Sequence, residues 1–71
     1  MGRIEYKPVA YTSIAAKVAT GRAFPIQIVS VDGRRTGRIM RAGSLYFYKT
    51  LRGRGDSFTS LAGVMRSLDA A

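Results

Sequence analysis

Arg34, Arg35, Arg38, Arg41, Lys49, Arg52 and Arg54 account for seven of the chain's twelve cationic side chains, and no Asp or Glu stands between Gly33 and Gly55. Arginine offers five N–H donors in a planar fork that matches a phosphate, and lysine adds a compact point charge. An acid-free stretch of this density repels itself and is relieved when an anion binds. Tyr46 and Tyr48 interleave with the cations. Tyrosine rings stack on exposed bases or lie along a sugar edge. Together these residues form a candidate nucleic-acid-binding set. The whole chain carries a net charge of +8, which favours polyanionic partners in general.

Catalytic chemistry finds little to work with. The sequence has no His and no Cys, which removes Ser-His and Cys-His nucleophiles as well as thiolate and imidazole metal sites. Its carboxylates, Glu5, Asp32, Asp56 and Asp69, are scattered, and Asp32 and Asp56 suit turns. Neither phosphate-cradling glycine signature is present, because Gly53-Arg54-Gly55 continues Asp-Ser-Phe. The expectation is a non-enzymatic protein with no cofactor, no metal and no small-molecule substrate.

The stretch RGRGDS, Arg52 to Ser57, contains the string of an integrin ligand. An adhesion ligand must meet the cell exterior, and Glu5, Lys7 and Pro8 interrupt any secretory apolar run near the start. Tyr6 stands where a myristoylation signal needs Ser or Thr. No disulfide framework and no membrane-length apolar run is present. A cytoplasmic setting without membrane attachment is therefore expected. The stretch reads as a flexible basic loop before a helix, where free N–H groups and the helix dipole favour a phosphate. A plain connector would look the same.

The elements that must position these side chains are short. Residues 1–71 suffice for a single small α+β domain with a thin core, so self-association as a homodimer is a reasonable expectation. Ile4 and Tyr6 suggest an edge strand that Pro8 breaks or ends. Thr12 or Ser13 can cap a helix over residues 14–20, with Gly21 as its stop. Phe24, Ile26 and Ile28 alternate as a strand, and Asp32-Gly33 signals a hairpin. A second strand follows over residues 35–41 and a third over 44–51, joined at Ala42-Gly43. Thr59 or Ser57 caps a last helix whose Leu61, Val64, Met65 and Leu68 lie on one face. Gly63 within that helix reads as simple tolerance of one glycine, with a close helix contact as the alternative. The expected fold is thus a three-stranded antiparallel β-meander packed against a C-terminal helix, with a short N-terminal helix.

Alternation divides the strands between two faces. Grouping by hydrophobicity puts Leu45, Phe47 and Ile39 beneath the last helix and leaves Tyr46, Tyr48 and Arg38 opposite. That second face is either an open binding surface or is covered by the N-terminal segment.

The order of a meander followed by one helix, over residues 24–69, resembles the arm-site DNA-binding domains of tyrosine recombinases, in which a sheet enters the major groove. The likeness lies in element order alone, and no signature residue is carried across. The leading expectation is a basic DNA- or RNA-binding protein, DNA ahead of RNA, whose β-meander contacts phosphates. The alternative is a small protein-interaction module that binds an acidic partner or self-associates through its C-terminal helix.

Overall fold

A computed structural model of the chain describes residues 3–70; Met1, Gly2 and Ala71, and with them the Met-Gly start, lie outside the described residues. The elements in chain order are β1 (Ile4–Pro8), α1 (Ile14–Ala19), β2 (Phe24–Val31), β3 (Arg34–Ala42), β4 (Leu45–Thr50), β5 (Gly53–Phe58) and α2 (Leu61–Ala70). The strands form one antiparallel sheet in the order β1-β2-β3-β4-β5. The α+β class and the meander are as expected. The strand count is not: the three central strands are flanked by β1 and β5. Ile4 and Tyr6 do form the edge strand, which ends at Pro8, where a missing N–H costs no ladder bond. The RGRGDS stretch is a correction. It lies in the β4–β5 turn and in β5 itself and is not a loop before a helix.

Each tight turn has a local cause. Asp32 (φ 53°) and Gly33 (φ 82°) both take positive φ, as the hairpin between β2 and β3 requires. Asp32 is further fixed because its carboxylate accepts the Arg3 N–H at 2.9 Å. The β3–β4 turn is Gly43-Ser44, one residue later than Ala42-Gly43, since Ala42 pairs with Leu45. Both helices start on a serine. Ser13 Oγ accepts the Ala16 N–H, and Ser60 Oγ accepts the Gly63 N–H at 3.1 Å, so Ser60 caps α2 in place of Thr59 or Ser57.

The core lies between α2 and one face of the sheet. Val29, Ile39 and Val64 are its fully buried centre, ringed by Ile4, Tyr6, Ile26, Tyr46, Tyr48 and Phe58 from the sheet side and by Leu61, Met65 and Leu68 from α2. The predicted apolar face of α2 is thus used on the chain's own sheet. Gly63 makes the approach close: a Cβ there would stand 3.2 Å from the Phe58 side chain. The close-contact reading of Gly63 therefore holds over simple tolerance.

The division of faces differs from the hydrophobic grouping. Ile39 pairs with Tyr48, Arg41 with Tyr46, and Tyr46 with Phe58. Directly paired residues share a face, so Tyr46 and Tyr48 lie with Ile39 under α2. Met40 pairs with Phe47 on the opposite side, where both are buried. Neither an open tyrosine face nor a cover from the N-terminal segment describes Tyr46 and Tyr48; α2 covers them.

Candidate functional site

The register assembles a row of cations on the face away from α2. Lys7 of β1 stands opposite Ile28 of β2, Ile28 opposite Arg38 of β3, Arg38 opposite Lys49 of β4, and Lys49 opposite Arg54 of β5. Two irregularities adjoin this row. On β3, Thr36 is an extra residue between the Ser30–Arg35 and Val29–Gly37 pairs. On β5, a second shift separates the Phe47–Ser57 pair from Lys49–Arg54. Bulges of this kind re-aim side chains. Here the Thr36 bulge sets Arg38 opposite Ile28 and on one face with Arg35. The two-residue turns at Gly43-Ser44 and Leu51-Arg52 set Arg38 opposite Lys49 and Lys49 opposite Arg54.

Like charges directly opposite each other cost roughly 0.2–1 kcal/mol per pair. The free sheet carries two such pairs in succession, Arg38–Lys49 and Lys49–Arg54. An anion laid along the row removes that repulsion.

Arg54 is held in position. Its guanidinium carbon lies 3.9 Å from the Phe47 ring centroid, and the group donates to Ser57 Oγ. This stacking helps reduce Phe47, on the outer face, to 4 % exposure. Arg35 joins the same face through its pairing with Ser30, which in turn pairs with Glu5. The pairing of β3 with β4 stops at Arg38–Lys49. Beyond it a groove of about 250 Å³ opens, lined by Arg35, Arg38, Lys49, Thr50 and Leu51 among others.

The other expected site residues are dispersed. Arg41 lies on the α2 side, where its Nε donates to the Gly43 carbonyl at 3.0 Å and its guanidinium sits 5.4 Å from the Tyr46 ring centroid. Arg34 pairs with Val31, which pairs with Ile4, so it too falls on the α2 side at the end of its hairpin. Arg52 is exposed in the β4–β5 turn. Tyr46 and Tyr48 pack against the core, and Tyr48 Oη donates to Thr36 Oγ1 at 2.9 Å. The expected set is therefore split: Arg35, Arg38, Lys49 and Arg54 share the outer face, while Arg34, Arg41, Tyr46 and Tyr48 do not. Lys7 joins that face without having been in the expected set. Its alternation with Tyr6 was visible, but only the pairing of β1 with β2 brings it into line.

Of the four acids, Asp56 is exposed in β5, two residues from Arg54, in the irregular stretch between the Phe47–Ser57 and Lys49–Arg54 pairs. Glu5 shares the face of the row, two residues from Lys7 along β1 and two strands from Arg35, with Ser30 between. Asp32 is engaged with the Arg3 backbone, and Asp69 belongs to α2. Among the described residues, no side-chain hydrogen bond joins an Arg or Lys to a carboxylate. On the core side, the Tyr6 hydroxyl is shut off from solvent with no hydrogen-bond partner among the described residues. Burial pushes its pKa above the usual 10.0, and the charges of Asp69 and Tyr48 add to the rise.

No group of three or more metal-ligating side chains occurs among the described residues, and no helix there is long and apolar enough to cross a membrane. No protein-family model, curated protein or solved structure matches this chain.

Proposed function

We propose that the chain binds nucleic acid without catalysis, through the outer face of its sheet. Lys7, Arg35, Arg38, Lys49 and Arg54 make the phosphate contacts. The observation that carries this reading is the lateral row: strand register places three cations on neighbouring strands at mutual cost. A polyphosphate backbone is a partner that offsets such a cost at several points at once. Arg54, preset on Phe47 and Ser57, offers its fork with little further ordering. A cytoplasmic setting goes with this reading. The alternative of association through α2 has less support, because Leu61, Val64, Met65 and Leu68 pack on the chain's own core.

The test is binding to labelled oligonucleotides across a salt series, followed by fluorescence anisotropy. With four to five phosphate contacts, the log–log slope on duplex DNA is about −4, from 0.9 per contact. Arg38→Gln lowers the slope magnitude by about 0.9 and weakens binding to all sequences alike. Arg41→Gln, on the other face, leaves both unchanged. A slope near zero, or equal effects of the two substitutions, ends the proposal.

A further inference from the structure

We propose that the partner is a B-form DNA duplex, bridged by the cation row so that β1 and β5 reach opposite backbones, and not a single strand. This rests on the nucleic-acid reading above and narrows it.

Proteins that hold single strands stack successive bases on exposed aromatic rings. The chain has seven aromatic residues, and all seven are engaged. Tyr6, Tyr46, Tyr48 and Phe58 pack against the core beneath α2. Phe24 is buried and meets Tyr11 edge-on at 5.5 Å. Tyr11 is itself tied by its hydroxyl to the Pro25 carbonyl, with the Lys17 ammonium 4.8 Å from its ring centroid. Phe47, the ring on the outer face, lies under Arg54. The cationic face thus offers charge without a free stacking platform, which is the equipment for a backbone and not for splayed bases.

The dimensions of the row point the same way. Lys7 and Arg54 stand four strand positions apart, about 19 Å at ~4.8 Å per strand. The major groove of B-form DNA is about 12 Å wide, so the two ends of the row overlap the backbones on either side. Arg38 and Lys49 lie between them and reach the phosphates at the groove edges with their long side chains. A single strand presents one line of phosphates and leaves one end of the row idle. The A-form major groove is deep and narrow, and side chains do not read it.

The deciding experiment measures the wild-type chain against three probes of one random sequence: a 20-base-pair DNA duplex, its top strand alone and the matching RNA duplex, at about 100 mM salt. The expected result is a DNA-duplex affinity about tenfold or more above both others. The double variant Lys7→Gln/Arg54→Gln should lose about 1.8 units of slope on the DNA duplex, from two contacts at 0.9 each. Equal or tighter binding of the single strand or the RNA duplex overturns the duplex-DNA inference and leaves nucleic-acid binding standing. So does an undiminished slope in the double variant. Binding to none of the three overturns both.

Discussion

Gly37→Ala tests the packing that sends the tyrosines to the core side and leaves the cations outside. Gly37 has no positive φ, so the reason for glycine is space and not backbone conformation. A Cβ built there would stand 2.6 Å from the Lys49 carbonyl oxygen and 2.8 Å from both Cζ and Oη of Tyr48. The carbonyl is strand backbone and cannot rotate away. Relief requires either β4 to shift against β3 or Tyr48 to leave its place and surrender its bond to Thr36. Overpacking of this kind costs roughly 1–3 kcal/mol, and the rigid contact puts this case at the upper end. The lower chain entropy of alanine in the unfolded state returns about 0.4–1 kcal/mol. The net loss is then about 2 kcal/mol, or about 8–16 °C in Tm for a domain of this length. Urea denaturation followed by circular dichroism reads it directly, with Gly55→Ala as the control. At Gly55 a Cβ meets only the Tyr48 carbonyl oxygen at 3.8 Å, so that change should be neutral or stabilise by about 0.5–1 kcal/mol. A Gly37→Ala protein within about 0.5 kcal/mol of wild type would refute the packing argument.

Two further outcomes follow from the same geometry. Lys49→Thr removes the central charge of the row and installs a good strand residue, so it should raise stability by roughly 0.5 kcal/mol while weakening DNA binding; a variant that is both less stable and fully able to bind would contradict the row. Tyr6 titrates above its unfolded value of 10.0, so the stability from its neutral form is whole below about pH 10 and is lost as pH rises through the folded value. Urea midpoints from about pH 8 to 11 should therefore fall at the alkaline end for wild type and fall less for Tyr6→Phe, and identical pH profiles would show that this hydroxyl carries none of the effect.

Much of the fold was legible from local chemistry. Asp32-Gly33 announced its hairpin, Ser13 and Gly21 bounded α1, and the spacing of Leu61, Val64, Met65 and Leu68 marked the buried side of α2. β5 was not legible. Gly-Arg-Gly-Asp-Ser has almost no intrinsic strand preference, and its extended state comes from pairing with β4. The faces are a different case, because the information was present. In a two-residue hairpin turn, paired residue numbers sum to an odd value whichever two residues form the turn. Ala42-Gly43 gives 85 and the observed Gly43-Ser44 gives 87. Either way Ile39 must stand opposite an even-numbered residue, Tyr46 or Tyr48, and cannot share a face with Leu45 or Phe47. The apolar character of Leu45 and Phe47 and the amphipathic tyrosine ring point the other way, and the turn geometry outweighs both. The same parity sends Arg38 to the outside with Lys49 and Arg41 to the inside with Tyr46. The Arg38–Lys49 pairing at the centre of the row therefore follows from turn length before any side chain is packed, while the link to Ile28 and Lys7 needs the Thr36 bulge. A residue inserted beside the Gly43-Ser44 turn, with the turn kept at two residues, would set Arg38 opposite Tyr48 or Thr50 and break up the row.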